Sequence, residues 1–429
     1  MFGKLIIDGG GKLSGTISVC GAKNAATPIL AASLLTSEPC EIDNVPKIED
    51  LYRMIELMQL LGVEVRWIGR NKLLVHAKKI AIKDINNDIV CKMRSSILLW
   101  GALCGRVKKF SMNRPGGCII GARTIAPHLE AFRTLGVKVL ESEKGISFNS
   151  SEIKSTDLTL SEISVTATEN AILTAVLAQG ETIIRCAVVE PHTQDLCHFL
   201  VSMGAKISGI GSSVLVIKGV KKLLGSNYSL IPDPIEMGTF IALAGATKSN
   251  IIISNVVIDF IPMEMQKFRE AGLKFEFINV KKSSWGYSLG SLVVKCPNKL
   301  KAIAKVHNMP FPGFAADNLP PFAVMATQAE GETLIYDWMY EGRMNYLLEL
   351  QKMCAHVKIL NQHESIITGP VDLKAMEITS FDLRAGASLL IAALVAKGKS
   401  EISDIYQIDR GYEEIEKRLV NLGAKINRI

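Results

Sequence analysis

A cysteine lies between two arginines in residues 114–128, R-P-G-G-C-I-I-G-A-R-T-I-A-P-H. Cys118 follows a pair of glycines, which let the backbone take a positive φ or approach a ligand closely. Arg114 and Arg123 would favour the thiolate, because cationic neighbours lower the pKa of a cysteine. On these residues alone, a reactive thiol on a loop and a buried thiol in a Gly-rich turn are both open interpretations.

Charged and polar residues recur where small-residue-rich helices are predicted to begin. The free N–H groups and the dipole of a helix amino end attract anions, and basic side chains there would complete a phosphate or carboxylate site. A single Lys or Arg beside a helix is ordinary. Basic residues at the equivalent position of three helices favour a shared anion-binding cleft. The residues at these ends are Lys23 and Asn24, Arg94, Thr168 and Glu169, Asp317 and Asn318, and Asp382 and Arg384.

A second set of polar residues precedes the predicted amphipathic helices. These residues are a second group of candidate site residues. For Asp409 and Arg410, a helix-start cap with an ion pair is an equally open interpretation. The full set is Arg114, Cys118, Arg123, Glu190, Arg343, Asp409 and Arg410.

One phrase recurs six times along the chain, at intervals that indicate an array of similar units. Its first copy is L-G-V-E-V, and each copy follows an amphipathic helix and precedes a strand. The second residue should therefore end the helix with a positive φ, which suits glycine. Cys354 lacks that freedom, so we expect its helix to end differently. The second residues are Gly62, Gly136, Gly204, Gly272, Cys354 and Gly423.

Each repeat also contains a helix that is apolar on all sides and rich in Ala and Gly, which predicts that it is buried. The predicted order within a unit is buried helix, strand, amphipathic helix, strand, strand. The sixth unit lacks its last strand and the amino terminus has a spare one, so residues 1–21 should complete the sixth unit. We therefore predict two three-unit domains, residues 22–232 and residues 1–21 plus 233–429, with a ligand site in the cleft between them.

Composition narrows the class of protein. With 429 residues the chain is too long for one core. Its 49 basic and 42 acidic residues give a net charge of +7 without long basic runs, which favours small anionic ligands over a nucleic acid. The nine cysteines are scattered and the histidines lack ligand spacing, so neither a disulfide framework nor a metal site is predicted. Without a signal-peptide pattern or a long apolar run, a cytoplasmic protein is expected.

Seven short motifs together resemble the UDP-N-acetylglucosamine 1-carboxyvinyltransferase family of enolpyruvyl transferases. The resemblance extends from Leu13 to the carboxyl terminus. It implies an α/β fold of two similar domains, each with three βαβαββ units around buried helices, described as an inside-out α/β barrel. The motifs are G-A-K-N-A at Gly21, M-R-S-S at Met93, P-G-G-C-x-I-G-A-R at Pro115, A-T-E-N at Ala167, P-D-x-I-E-x-G-T-F at Pro232, D-L-R-A at Asp382 and I-D-R-G-Y at Ile408.

The resemblance implies a reaction that joins the enolpyruvyl group of phosphoenolpyruvate to the 3-hydroxyl of UDP-N-acetylglucosamine. Phosphate is released through a tetrahedral ketal, in the first committed step of peptidoglycan precursor synthesis. The resemblance further implies that the partners are these small molecules. It implies no metal and no cofactor, and no nucleic acid, membrane or obligate protein partner.

The motifs also imply roles for single residues. Catalytic groups would be Cys118, which delivers a proton to the methylene carbon from a mobile loop, and Asp317, which accepts the proton of the sugar hydroxyl. Lys23 and Arg410 would complete the catalytic set. Lys23, Arg123 and Arg410 would hold phosphoenolpyruvate, supported by Arg343. Residues that would orient this set are Asn24, Arg94, Glu190 and Asp382, and Arg384 is a further substrate-binding residue. Residues that would line the uridine nucleotide are Arg123, Thr124, Ile125, Ala126, Pro127, Glu162, Ser164, Val165 and Met339.

Several residues of the nucleotide half depart from the family pattern. Glu162 stands where a basic residue faces the diphosphate, and an acid there would repel it. Thr166 replaces a glycine, Pro234 replaces an arginine, and Ala126 with Pro127 replaces an acid–leucine pair. Two alternatives therefore remain: an enolpyruvyl transferase for another uridine nucleotide, and a non-catalytic homologue that binds a nucleotide.

Overall fold

The structure is a computed structural model that describes residues 3–82, 88–116, 124–143 and 145–429. The predicted site residues Cys118 and Arg123 lie outside the described residues. Within the described residues, no helix is both long and apolar enough to cross a membrane.

Twelve of the fourteen described helices form two alternating series, one buried on all sides and one with a single buried face. Small side chains on the first series allow close packing around each helix. In chain order the helices are α1 (Lys23–Ala32), α2 (Glu49–Leu60), α3 (Asp88–Lys92), α4 (Leu98–Arg106), α5 (Ala126–Thr134), α6 (Val165–Ala175), α7 (Pro191–Ser202), α8 (Pro234–Ala246), α9 (Pro262–Glu270), α10 (Leu319–Ala326), α11 (Tyr346–Lys352), α12 (Leu383–Val395), α13 (Tyr406–Asp409) and α14 (Ile415–Val420). The buried series is α1, α4, α6, α8, α10 and α12.

The strands are short and surround these helices. In chain order they are β1 (Leu5–Gly9), β2 (Ser14–Ser18), β3 (Cys40–Asp43), β4 (Glu64–Trp67), β5 (Leu73–His76), β6 (Lys109–Met112), β7 (Lys138–Ser142), β8 (Gly145–Asn149), β9 (Asp157–Thr159), β10 (Glu181–Arg185), β11 (Lys206–Ser208), β12 (Val214–Lys218), β13 (Asn227–Ser229), β14 (Asn250–Val257), β15 (Lys274–Lys282), β16 (Ser288–Lys295), β17 (Leu300–Lys301), β18 (Lys305–His307), β19 (Ala329–Tyr336), β20 (His356–Ile359), β21 (Glu364–Gly369), β22 (Glu377–Thr379), β23 (Gly398–Ser403) and β24 (Lys425–Arg428).

The described strands fall into six separate sheets, and none of these closes on itself to form a barrel. In every sheet the strand after the buried helix and the strand after the amphipathic helix both pair antiparallel with the last strand of the unit. In five sheets a further strand joins in parallel, which gives the predicted βαβαββ unit. The orders are β13-β3-β5-β4, β6-β8-β7, β9-β10-β12-β11, β2-β14-β16-β15, β17-β19-β21-β20 with β18 also on β19, and β22-β23-β1-β24.

The first two strands of the chain belong to different sheets. β1 lies between β23 and β24, with Leu5 opposite both Ile402 and Arg428. β2 instead pairs in parallel with β14, with Ser14 opposite Asn250. The expectation that all of residues 1–21 complete the sixth unit is therefore wrong for β2, which opens the fourth unit.

The chain divides into two compact units, which we call the Asp317 unit and the Lys23 unit. The Asp317 unit comprises the described residues up to Cys20 and those from Pro232 to the carboxyl terminus, and the Lys23 unit comprises the described residues between Gly21 and Ile231. In the first unit, the core gathers the apolar faces of all its sheets around α8, α10 and α12. In the second, an aromatic group includes Trp100 and Phe148, whose ring centroids are 5.2 Å apart.

Six amphipathic helices end in the same left-handed conformation. The five glycines of the repeated phrase have φ between 78° and 102°, as predicted. Cys354 has φ of 67°, and its N–H donates to the Gln351 carbonyl at 2.9 Å, as that of Gly62 does to Gln59. The prediction that this helix ends differently is wrong. The hydrogen bonds of the cap outweigh the strain of about 1–2 kcal/mol that a side chain meets in this conformation.

Candidate active site

Asp317 lies between two buried arginines of its own unit. It belongs to the 3₁₀ turn Ala316–Asn318, which leads into α10. Arg343 donates from Nη2 to Oδ1 of Asp317, and Arg384 donates from Nε to Oδ2 at 3.0 Å. The side chains of Arg343 and Arg384 are 5% and 4% exposed, whereas that of Asp317 is 27% exposed. The carboxylate is therefore held through both oxygens and is still partly open to solvent.

The two arginines decide the charge of Asp317. Burial alone would raise the pKa of this carboxyl, but the attraction of Arg343 and Arg384 outweighs burial and holds the pKa below its usual range. Asp317 is consequently ionised at neutral pH and able to accept a proton. In this arrangement it is a weak base, because a general base works best when its pKa lies near the working pH.

Arg384 has further partners on the side away from Asp317. Its Nη1 donates to Oη of Tyr412 at 3.0 Å, and its Nη2 lies 3.8 Å from Oδ2 of Asp233. The Tyr412 hydroxyl is also 3.0 Å from Oγ1 of Thr239 on α8. A row of polar contacts therefore runs from Thr239 through Tyr412 and Arg384 to Asp317.

Two aspartates fix the helix ends around this cluster. Oδ1 of Asp382 accepts from the backbone N–H groups of Arg384 at 2.8 Å and Ala385 at 2.9 Å, and Asp233 caps α8 in the same manner. Such caps satisfy N–H groups that the helix itself leaves free. Asp382 thus sets the start of the helix that carries Arg384, and its predicted contact with substrate stays a prediction.

A buried glutamate fixes the turn that carries Asp317. Oε1 of Glu264, on α9, accepts from the Ala315 N–H at 2.8 Å and from Nδ2 of Asn318 at 3.4 Å. Asn318 is itself confined, since a Cβ at Gly238 would lie 2.4 Å from its side chain. The turn is therefore anchored on both sides of Asp317. The role of Glu264 was not predicted from the sequence, because an acid in the first turn of a helix is common for its interaction with the dipole.

In the Lys23 unit, the predicted phosphate-binding lysine has an acidic partner. Lys23 is the first residue of α1, and its Nζ lies 2.6 Å from Oδ2 of Asp50. Asn24 follows it and is half-buried. Asp50 lies in the first turn of α2, a position where an acid again gives no particular signal. This pair was therefore not predicted from the sequence.

Arg94 begins the 3₁₀ turn Arg94–Ile97, which precedes α4, and not the helix itself. Its Nη2 donates to the Thr124 carbonyl at 3.1 Å, and Oγ1 of Thr124 accepts from the Ala126 N–H at 3.0 Å. Ile125 directly precedes α5 and Pro127 lies in its first turn. The structure thus joins Arg94 to the start of the segment predicted to bind the nucleotide.

A buried histidine links α5 to α6. Nε2 of His128 lies 2.8 Å from Oγ1 of Thr166, and burial together with the charge of Arg94 lowers the pKa of this histidine to about 3. His128 is therefore neutral at physiological pH. Ser164 and Val165 directly precede Thr166, and both are half-buried. Thr166, which departs from the family pattern, thus has a partner within its own unit.

Thr168 and Glu169 do not lie at the amino end of α6, which begins at Val165. Oγ1 of Thr168 accepts from the Val188 N–H at 3.2 Å. Glu169 is buried, and burial raises the pKa of its carboxyl well above its ordinary value. The expectation that these two side chains join the anion site is therefore wrong. The A-T-E part of the motif anchors the segment before α7, and Glu190 directly precedes that helix.

The remaining predicted residues lie in separate places along the chain. Glu162 is exposed in the bend before α6, and Met339 is half-buried after β19. Nη1 of Arg410 donates to Oε1 of Gln407 at 3.1 Å. Asp409 is the last residue of α13 and receives hydrogen bonds from Arg428 at 2.9 and 2.7 Å. The interpretation of Asp409 as a helix-start cap is therefore wrong.

Comparison with known proteins places these features in a family. Residues 7–419 match the family described as EPSP synthase (3-phosphoshikimate 1-carboxyvinyltransferase). The chain is 40% identical to the UDP-N-acetylglucosamine 1-carboxyvinyltransferase of Treponema denticola over 98% of both chains. It is 39% identical to that of Bradyrhizobium diazoefficiens over 99% of this chain and 97% of the relative.

A solved structure supports the same fold. The enolpyruvyl transferase NikO from Streptomyces tendae is similar with a TM-score of 0.87, covering 100% of this chain and 99% of that chain at 23% sequence identity. The predicted α/β fold of repeated βαβαββ units is thereby confirmed, with separate sheets in place of a closed barrel. By its match over nearly the full length, the chain belongs to the EPSP synthase family of enolpyruvyl transferases.

Proposed function

We propose that this chain transfers the enolpyruvyl group of phosphoenolpyruvate to the 3-hydroxyl of UDP-N-acetylglucosamine and releases phosphate. Relatives that carry this activity in their names are 37–40% identical over nearly the whole chain. The structural observation that carries the proposal is Asp317, an ionised and partly open carboxylate fixed between Arg343 and Arg384. The reaction would take place in the cytoplasm and supply peptidoglycan precursors.

In the addition step, the sugar 3-oxygen forms a bond to C2 of phosphoenolpyruvate and its proton passes to Asp317. The methylene carbon gains a proton, which Cys118 would supply from its loop. In the elimination step, the bond between C2 and the phosphate oxygen breaks, and the methyl carbon loses a proton. The products are the enolpyruvyl ether of the sugar nucleotide and inorganic phosphate.

The pairing of Asp317 with arginines links substrate binding to proton transfer. An anionic substrate that draws Arg343 toward itself weakens the pull of that arginine on Asp317. The pKa of the carboxyl then rises toward the range in which it works as a base. Nε of Arg343 is buried and has no hydrogen-bond partner among the described residues. A donor left unpaired in this way supports an oxygen-bearing ligand at the cluster.

We propose that residues 22–232 and residues 1–21 plus 233–429 act as the two domains of this enzyme. In the first domain, Lys23 at the start of α1 would hold the phosphate together with Arg123, and the helix dipole adds to their attraction. Arg94 would fix the segment 124–127 for the nucleotide, a role supported by its bond to the Thr124 carbonyl. In the second domain, Arg410 would bind phosphoenolpyruvate.

The acceptor is tested by offering the purified protein phosphoenolpyruvate with one candidate at a time. We expect UDP-N-acetylglucosamine to gain the mass of one enolpyruvyl group, with one phosphate released per product. Shikimate 3-phosphate and uridine nucleotides without the N-acetylglucosamine group should give no product. A product formed only with another uridine nucleotide would contradict the proposed acceptor. Nucleotide binding without any phosphate release would identify a non-catalytic homologue.

A further inference from the structure

We propose that Tyr412 is a positioning residue for Asp317, acting through Arg384. The kinetic part of this inference rests on the proposed function, whereas the structural part does not. Tyr412 belongs to none of the groups that the sequence assigned to substrate. It is nevertheless the hydrogen-bond acceptor that fixes the far side of the Arg384 guanidinium.

Two hydroxyls connect Arg384 to α8. Oγ1 of Thr239 lies 3.0 Å from the Ile235 carbonyl, to which its hydroxyl can donate. The same oxygen lies 3.0 Å from the Tyr412 hydroxyl, and either of these two oxygens can be the donor. The phenol oxygen remains free to accept from Nη1 of Arg384 at 3.0 Å. The guanidinium is thereby tied, through two hydroxyls, to the backbone of a buried helix.

Arg384 needs this anchor because two acids compete for it. Nε bonds Oδ2 of Asp317 at 3.0 Å, while Nη2 lies 3.8 Å from Oδ2 of Asp233. A guanidinium is a rigid planar fork, so fixing Nη1 also fixes the direction of Nε. Without the phenol oxygen, the fork is free to rotate toward Asp233 and to lengthen its contact with Asp317. The phenol therefore determines how Asp317 is oriented, although it does not touch it.

The test is the variant Tyr412→Phe, which removes one oxygen and keeps the buried ring beneath the guanidinium, 5.3 Å from its carbon. We expect kcat to fall about tenfold, since a hydrogen bond to a charged group contributes about that factor. KM for both substrates should stay within about twofold, because the ring and the binding groups remain. The matched control is Tyr228→Phe, which removes a buried phenol that bonds Asp195 at 2.6 Å in the Lys23 unit. It should leave kcat and KM unchanged.

A second measurement does not require activity. The free energies of unfolding of Tyr412→Phe, Asp317→Asn and the double variant form a double-mutant cycle. If Arg384 couples the two residues, the loss in the double variant is smaller than the sum of the single losses. The cycle of Tyr228→Phe with Asp317→Asn should be additive. Additivity in the Tyr412 cycle, or a wild-type kcat in Tyr412→Phe, would overturn the proposal. If the wild-type protein released no phosphate, the proposed function would fail, and the cycle alone would decide the role of Tyr412.

Discussion

Arg384 donates from Nε to Oδ2 of Asp317 at 3.0 Å, and the two residues are 67 positions apart in the chain. Arg384 stands in the first turn of α12, whose cap is Asp382, and Asp317 stands just before α10. The contact therefore joins the amino ends of two buried helices of the same unit. The proposed proton acceptor is held by the same groups that hold the helix ends, so small changes in this cluster should affect both turnover and stability.

The variant Asp317→Asn should lose turnover and stability together. Loss of a general base lowers kcat by about 100-fold or more. Removal of one partner from a buried ion pair costs about 3 kcal/mol or more, and the partial exposure of Asp317 favours the lower end. Phosphate release and urea unfolding measure the two effects.

The matched control for this variant is Asp157→Asn. Asp157 also binds an arginine through both oxygens, at 2.9 and 2.8 Å, but this pair with Arg185 is exposed. An exposed pair contributes little to stability because solvent screens it, and turnover should not change. Equal effects of the two substitutions would contradict a special role for the Asp317 cluster.

Glu264 should support turnover through the turn that it anchors. In Glu264→Gln, the amide oxygen still accepts from the Ala315 N–H, so kcat should stay within about threefold of the wild type. In Glu264→Ala, both anchors are lost; kcat should fall about tenfold and the free energy of unfolding by about 1–3 kcal/mol. Steady-state kinetics at a temperature where both variants are folded provides the comparison. Similar kcat values for the two variants would refute the anchoring role.

Asp195 should make the stability depend on pH. Burial raises the pKa of this carboxyl to about 7, although bonds from Tyr228 and the Ile231 N–H partly lower it. Between about pH 4 and about pH 7, the folded chain holds a proton that the unfolded chain has lost. The free energy of unfolding therefore falls as pH rises through this window, by at most about 1.4 kcal/mol per pH unit.

The variant Asp195→Asn has no carboxyl to ionise at this position. Urea unfolding of the wild type and the variant at several pH values isolates the contribution of Asp195. The wild type should lose stability relative to the variant from about pH 4 to about pH 7, and the difference should be constant above that range. A difference that does not change with pH would show that Asp195 titrates normally.

Cys354→Gly should stabilise the protein. The residue is exposed and has φ of 67°, so glycine relieves strain without a loss of packing. After the extra flexibility of glycine in the unfolded chain is subtracted, the gain is about 0.5–1 kcal/mol. The reverse control is Gly423→Ala, where φ is 96° and a Cβ would meet no atom within 4 Å. It should destabilise by about 1 kcal/mol. A destabilised Cys354→Gly would show that the thiol makes a favourable contact.

The repeated phrase predicted the helices, their glycine ends and the βαβαββ units, because these features depend on residues close together in the chain. The prediction failed for the helix that precedes Cys354. There the surrounding hydrogen bonds impose the left-handed conformation in spite of the residue type. The prediction that residues 1–21 complete the sixth unit failed for β2. This strand pairs with β14, and that pairing joins residues more than 200 positions apart.

The arrangement of the candidate site was not predictable from local pattern. Asp317 and Arg343 were singled out by residue type and motif, but their direct ion pair depends on how the helices pack. Asp50 and Glu264 each occupy the first turn of a helix, where acids are common, so their residue type and position do not indicate a role. Tyr412 was part of a quoted motif, yet its bond to Arg384 became apparent only in the fold.

We propose that Asp317, held by Arg343 and Arg384, serves an enolpyruvyl transfer to UDP-N-acetylglucosamine. The most direct test measures phosphate released from phosphoenolpyruvate, with and without this sugar nucleotide, by the wild type and by Asp317→Asn. We expect release by the wild type only when the sugar nucleotide is present, and a rate for the variant that is lower by about 100-fold or more. Release that does not need the sugar nucleotide would rule out the proposed acceptor, and an equal rate for the variant would rule out Asp317 as the base.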